Sequence, residues 1–484
     1  MLFNSLQFAI FFPIVTLLYF ALPDRARVPL LLAASCWFYM AFVPAYILIL
    51  GVVILVDYAA GRLIEQAAAQ HRRRVLIVSL CTNVGILAFF KYFNFLDGNV
   101  AALARLIGWN YGDHALSIVL PIGLSFHTFQ SMSYTIEVYR GNVPAERSLL
   151  RFATYVMFYP QLVAGPIERP QNLLPQFRER HAFERARVSD GLKLMAVGLF
   201  KKIVIADRVA LLVNAVYATP EEFAGPQLFI ATVFFAIQIY CDFSGYTDIA
   251  RGAARVMGFE LMLNFNRPYL ATSIADFWRR WHISLSTWFR DYVYYPLGGN
   301  RRGLARTCLN VALVFLISGL WHGANWTFVI WGALHAAFMV VYILTERARS
   351  RLAAALPAAG GALLDGLGWL MTFGLVSLAW VFFRAASVAD ALMILRRIVT
   401  DVLPRPGVDL HPGLDPVQFT IALVLIGALF AVEAVSQRRP LGVTLAGLPR
   451  MQRWSAYYAF ALVFILLVLW SPERNAQPFI YFQF

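Results

Sequence analysis

Ser318-Gly-Leu-Trp-His-Gly-Ala-Asn-Trp326 lies inside an uncharged, mostly apolar run that extends from Cys308 to Leu344. That run exceeds the roughly 20 residues an α-helix needs to cross a bilayer. A titratable ring within it is costly and calls for partners or a purpose. His322 is therefore expected far from either membrane surface, as a site of proton chemistry. Gly319 and Gly323 flank it, and about two helical turns separate Cys308 from Leu316, so the run is expected to break into two half-helices near the midplane. If residues 321–325 are helical, Asn325 shares a face with His322 and can orient the ring or a substrate carbonyl. The plainer alternative is a histidine that only hydrogen-bonds across a helix interface.

The rest of the chain has the same character. Its 484 residues are 60% hydrophobic with mean hydropathy +0.63, above the roughly 45–50% of soluble domains. The apolar residues gather into blocks of spanning length, which predicts an all-α, polytopic membrane protein of about 10–12 transmembrane or re-entrant helices. One integral membrane domain is expected over 1–484, with the catalytic core at about 117–345. Four scattered cysteines, Cys36, Cys81, Cys241 and Cys308, offer neither a disulfide framework nor a metal-binding spacing. No metal is expected.

The first block, 7–22, lacks a basic flank and a small-residue cleavage site, and is expected to be a retained span. Net charge is +14, an excess that suits loops facing an anionic cytoplasmic leaflet rather than nucleic acid. Arg25, Arg27 and the His71-Arg-Arg-Arg74 cluster alternate with the uncharged Pro44 corner, which puts the N-terminus outside. The fourth block, 75–95, then exits, and the fifth, 117–136, returns to Arg140, Arg147 and Arg151. Pro160 and Gly165-Pro166 interrupt 152–167 and favour a partial insertion. Residues 192–213, with Lys201-Lys202 and Asp207-Arg208, suit an interfacial or protein-packed helix. Further spans are expected at about 228–250, 369–383, 419–435 and 457–470, with a proline-rich loop (Pro404, Pro406, Pro412, Pro416) between two of them.

Between Asp276 and Arg306, aromatic residues interleave with arginines around His282, Ser284, Ser286, Thr287 and Asp291. Two readings stay open, a lipid-headgroup anchor or the lining of a substrate path. On the second, Trp278, Arg279 and Arg280 join Trp321 and Asn325 as candidate substrate-binding residues. His127 and His335 have no polar cluster beside them and are expected to be core histidines. Asp242 and Asp248 are expected to position the arginines of the next segment. There is no G-x-S-x-G elbow, H-E-x-x-H, Walker loop or G-x-G-x-x-G, so serine hydrolysis, zinc proteolysis and nucleotide hydrolysis lose their usual support.

At these residues the chain resembles the membrane-bound O-acyltransferase (MBOAT) family, in particular its bacterial polysaccharide-acetylation branch and, more distantly, the D-alanine transferases. The resemblance rests on Phe-Phe-Lys-Tyr-Phe-Asn-Phe (89–95), Leu-Pro-Ile-Gly-Leu-Ser-Phe (120–126), Leu-Val-Ala-Gly-Pro-Ile (162–167), Asp-Phe-Ser-Gly-Tyr-Thr-Asp (242–248), Phe-Trp-Arg-Arg-Trp-His-Ile-Ser-Leu-Ser-Thr-Trp (277–288), Gly-Leu-Trp-His-Gly-Ala-Asn (319–325) and Trp-Val-Phe-Phe-Arg-Ala (380–385). These stretches follow the family's order and cover most of the chain. The resemblance implies that His322 is the catalytic histidine and that His282 holds the second characteristic polar position, where many relatives carry histidine or asparagine.

It further implies an O-acetyltransferase of the bacterial inner membrane with a periplasmic N-terminus. No cofactor is expected to be bound; acetyl-CoA or an acyl carrier thioester would be the donor substrate. The implied partners are an extracytoplasmic SGNH-type (AlgJ- or AlgX-like) acetyltransferase, a polysaccharide acceptor such as alginate, and membrane lipids. An imidazole with a pKa near about 6.5 can take the acceptor's proton during attack on the thioester and return it to the thiolate. His282, Asn325 or backbone groups at the break are the candidates for stabilising the oxyanion. Two readings from other classes are a transporter, which also uses broken helices at mid-membrane, and a non-catalytic scaffold of a polysaccharide export complex.

Overall fold

The computed structural model describes residues 1–112, 114–116, 120–403, 409–472 and 477–482, the side chains of 358, 359 and 482 excepted. The start of the fifth apolar block, 117–119, and Pro404 and Pro406 lie outside the described residues. Among the described residues every regular element is helical. Helices α1 (Leu6–Ala21), α2 (Asp24–Met40), α3 (Tyr46–Gln66), α4 (Ala69–Leu106) and α5 (Leu124–Arg140) come first, then short α6 (Leu149–Met157) and α7 (Pro170–Gln176). Next, α8 (Arg185–Leu199) continues through a π-helical stretch, Phe200–Ala206, into α9 (Asp207–Ala218), and α10 (Gly225–Met257) follows. Short α11 (Ile274–Arg280) and α12 (Ile283–Phe289) precede α13 (Leu304–His322) and α14 (Trp326–Leu344). The chain ends with α15 (Glu346–Ala355), α16 (Ala358–Arg384), α17 (Val388–Thr400), α18 (Pro416–Arg438), α19 (Leu441–Ala446) and α20 (Arg450–Leu469).

Among the described residues, eight helices are long and apolar enough to cross a membrane: α3, α4, α10, α13, α14, α16, α18 and α20. The apolar α1 is shorter. Burial separates their roles, because the apolar window of α10 is 83% buried and that of α20 not at all. So α10 is the central post, and α20 turns its apolar side chains outward. Block 152–167 is not a span. It forms the nine-residue α6 and then turns buried against the core.

Helices α8 and α10 run antiparallel in close contact, and glycine makes the approach possible. A Cβ on Gly198 would meet the Gly245 carbonyl oxygen at 2.6 Å, and one on Gly252 would meet the Gly191 oxygen at 2.5 Å. The pairs 191/252 and 198/245 are seven residues apart on each helix, one face of a two-turn repeat. Segment 192–213 is therefore packed on protein, the second of the two placements expected for it. Replacing Gly198 by leucine is predicted to cost at least about 1–3 kcal/mol, since backbone rather than a movable side chain must give way. The melting temperature of the purified protein in detergent checks this, and a midpoint equal to wild type would refute it.

The α8–α10 seam also carries buried charge. Lys202, on the π-helical stretch, pairs with Asp207 at 2.8 Å and with Asp242 at 2.7 Å, while Lys201 pairs with Asp248 at 2.8 Å. This corrects the expectation that Asp242 and Asp248 hold the arginines of the next segment, where Arg280 instead pairs with Asp276. Adjacent lysines on a neighbouring helix neutralise the two acids first.

The run 308–344 also differs from expectation. It forms not two half-helices but a hairpin of two full-length helices, with the Gly319 position against Phe328 and Gly332. Each helix has 19 residues, about 28 Å at 1.5 Å per residue, enough for one crossing apiece. His322 is the last residue of the first.

Candidate active site

His322 projects from the end of α13 into a cavity of about 170 Å³, lined also by Lys91, the 120–126 stretch, Val163, Trp321 and Tyr481. The residue is 5% exposed. Aromatic rings surround the imidazole: Trp321 at 4.9 Å, Trp331 at 5.0 Å, Phe383 at 5.2 Å and Tyr481 at 5.7 Å between centroids. Among the described residues its Nδ1 is buried without a hydrogen-bond partner, and none of their acids orients the ring as in a serine-protease triad. Packing sets its direction instead.

Tyr481 gave no signal in the sequence. The end of the chain threads back into the core, where Asp242 accepts the Ile480 N–H at 2.6 Å and Lys202 donates to the Pro478 oxygen at 3.3 Å. Phe479 and Ile480 are buried beside Phe243 and Tyr246, which brings the Tyr481 ring to the cavity wall. A segment this short carries no periodicity from which its burial can be read.

The remaining candidates are dispersed. Trp321 lines the cavity. His282 is fully buried behind it, with centroids 6.3 Å apart, and is absent from the cavity wall. Trp278 packs on Phe315, Trp331 and His335, one ring away from His322. Arg280 is held by Asp276 and Arg279 is exposed. Asn325 caps α14, its oxygen accepting the Thr327 N–H at 3.0 Å and its amide donating to Ala386 at 3.3 Å. The helix ends at His322, so the shared face expected for the two residues does not form. His335 is buried among rings and His127 lies against Tyr39 and Gly123, neither of them on the cavity wall. They are core histidines but not the hydrogen-bonded ones expected, because among the described residues His127 Nε2 and both His335 nitrogens have no partner.

A second, wider cavity of about 520 Å³ opens at the other end of α5, lined by Glu137, Arg140, Asn142, Arg169, Gln171, Asn172, Asp291, Tyr292 and Tyr295. Its two arginines and two carboxylates balance, with Arg140 on Glu137 and Arg169 on Asp291. A column of rings runs between the cavities. Trp321 faces Phe129 at 5.3 Å, Phe129 stacks on Trp288 at 3.9 Å and 6°, and Trp288 meets Tyr292 at 5.1 Å. The Trp288 indole N–H is fixed by the Phe129 oxygen and Ser133 Oγ, each at 2.9 Å. A polar mouth, an aromatic partition and a histidine chamber thus share one helix.

Comparison with known sequences places this arrangement. A family model described as MBOAT, membrane-bound O-acyltransferase family, matches residues 49–383. The chain belongs to that family. It is 40% identical to a Pseudomonas aeruginosa protein named probable alginate O-acetylase AlgI, over 81% of this chain and 73% of the relative. It is 35% identical to a Pseudomonas putida protein of the same name over the whole of both chains. A Helicobacter pylori protein named peptidoglycan O-acetyltransferase is 34% identical over 82% of this chain and 80% of its own. The protein is thus a multi-pass membrane-bound O-acyltransferase.

In this O-acyltransferase His282 occupies a left-handed backbone position, φ 42°, which asparagine adopts far more readily than most residues. Its Nδ1 donates to Asn264 Oδ1 at 3.2 Å, and that oxygen also accepts the Ser284 N–H and hydroxyl. The imidazole backs the Trp321 wall rather than touching the chamber. His282→Asn is therefore predicted to keep the fold and lower acyl transfer by about tenfold, whereas His282→Ala adds backbone strain of order 1–3 kcal/mol. Equal turnover by wild type and His282→Asn would assign the ring to packing alone.

Proposed function

We propose that this membrane-bound O-acyltransferase moves an acetyl group from a cytoplasmic thioester, acetyl-CoA or an acyl carrier protein, to hydroxyls of an extracytoplasmic polysaccharide by way of a secreted SGNH-type partner. The observation that carries the reading is the position of His322 in a chamber of about 170 Å³. That volume is below the roughly 300–1,000 Å³ of sites that enclose whole drug-sized ligands. It suits a two-carbon acyl group and the atoms that exchange it. The cavity at Arg140 and Arg169 is about 520 Å³, and its balanced charges and amide side chains suit the amide-bearing arm of a thioester carrier. The basic loops support an orientation with that mouth in the cytoplasm and the N-terminus outside, and the proposed setting is a bacterial inner membrane. The names of the P. aeruginosa and H. pylori relatives support acetyl as the group and a glycan as the acceptor class.

In the reaction His322 takes the hydroxyl proton as the acceptor oxygen attacks the thioester carbon, then returns it to the departing sulfur. The aromatic partition keeps water from competing for the acyl group. The test uses purified full-length protein in liposomes supplied with acetyl-CoA on one face and, on the other, an SGNH-type partner with alginate oligosaccharide as the acetyl acceptor. Release of free CoA thiol, dependent on the protein, supports the reading. Solute flux without thioester cleavage would replace it with a transporter.

A further inference from the structure

Lys91 lies in the Phe-Phe-Lys-Tyr-Phe-Asn-Phe stretch on α4, a stretch to which neither the fold nor the mechanism above gives a task. Its Nζ donates to the Trp321 and His322 carbonyl oxygens, both at 2.8 Å, and lies 6.0 Å from the centre of the Trp321 ring. The next residue, Tyr92, donates its hydroxyl to the Leu320 oxygen at 2.5 Å. Two consecutive side chains of α4 therefore satisfy the last three carbonyls of α13, the partially negative end of that helix. The ammonium needs no carboxylate there.

An ammonium carries three N–H donors. Two are on backbone oxygens, and among the described residues the third has no other hydrogen-bond partner and is left to the chamber that Lys91 lines with His322. Of the donors expected from sequence, Asn325 caps α14 and His282 sits behind the wall; Ser125, Trp321 and Tyr481 also line the chamber but are uncharged donors, and a charged donor is the stronger partner for an oxyanion. Acyl transfer needs a fixed donor at the carbonyl oxygen where negative charge collects. We propose that Lys91 is that oxyanion donor, a role that rests on the acyl-transfer reading above.

The step balances without a further reactant. The acceptor oxygen bonds to the carbonyl carbon while its proton passes to His322, and the carbonyl oxygen becomes an anion beside the Lys91 ammonium. Collapse then breaks the carbon–sulfur bond, and His322 gives the proton to sulfur. Lys91 donates a hydrogen bond and transfers no proton in this step, and its two carbonyl bonds hold it where the base is held.

CoA thiol release from acetyl-CoA by the full chain in liposomes, with the SGNH-type partner and alginate oligosaccharide present as acceptor, tests this. Lys91→Met is expected to lower kcat about 100-fold, the usual effect of removing one oxyanion donor, with KM for acetyl-CoA within about threefold. Lys91→Arg, which restores a cation, should recover at least about tenfold of that loss. Lys91→Gln keeps an amide donor for the carbonyls without the charge and guards against misfolding; it should still lose at least about tenfold. Wild-type kcat in either Lys91→Met or Lys91→Gln overturns the assignment while leaving the parent reading intact, provided His322→Ala releases no thiol. Tyr92→Phe removes a carbonyl bond outside the chamber and should cost only a few-fold. A loss as deep as that of Lys91→Met would overturn the proposal, because holding the end of α13 would then explain both. Absence of thiol release by wild type would sink both readings.

Discussion

Replacing His322 by alanine is expected to abolish acyl transfer while the protein still inserts and accumulates. A positioned general base contributes about 10²–10⁴-fold, and among the described residues Lys91 and Tyr481 are the other titratable side chains that line the chamber. Lys91 is held as a donor on two α13 carbonyls, so it is not placed to take the acceptor's proton. Structure should survive the change. The α13 carbonyls remain held by Lys91 and Tyr92, and the Gly319 contact with α14 is made by backbone. The measurement is O-acetyl content of the extracellular glycan, by mass spectrometry, in a deletion strain complemented with either form at matched membrane levels. Acetylation retained by His322→Ala at normal abundance would remove the imidazole from the reaction.

The spans were legible because crossing a bilayer leaves a composition that any window detects. Helices α3, α4, α13, α14, α18 and α20 each have an apolar window of mean hydropathy at least 1.5. His322 was legible for the opposite reason, as a titratable ring in a run with no charge. What length alone did not decide was how that run divides. Helix breakage at Gly323 was anticipated from the flanking glycines, but two crossings rather than two half-helices follow only from the packing of Gly319 against Phe328 and Gly332.

Other parts of the site depend on partners too far along the chain for any local pattern. Lys91 reaches carbonyls 230 and 231 residues away, and Ile480 reaches Asp242 across 238. The acids of the 242–248 stretch are expected from sequence to meet the arginines ahead, and in the structure they meet the lysines behind. The choice was made by the glycine-lined approach of α8 to α10, which places Lys201 and Lys202 against them.

That charge cluster carries the second large effect, expected for Lys202→Met. Lys202 is buried, and its ammonium is shared by Asp207, Asp242 and the Pro478 oxygen. Methionine fills much of the same space but removes the cation from two buried acids, a change that typically costs about 3–5 kcal/mol. The loss should not stay local. Asp242 also holds the Ile480 N–H, so disturbing this cluster loosens the tail that brings Tyr481 to the His322 chamber. A lowered melting temperature and a fall in acyl transfer should therefore appear together in Lys202→Met. Lys202→Arg, which keeps the charge, should be milder in both respects. Pairing Lys202→Met with Asp242→Asn removes one stranded charge along with its partner and should restore part of the melting temperature. Activity should return less, because an amide in place of the carboxylate is a weaker acceptor for the Ile480 N–H. A Lys202→Met protein that melts and turns over like wild type would show that the cluster neither stabilises the core nor seats the tail.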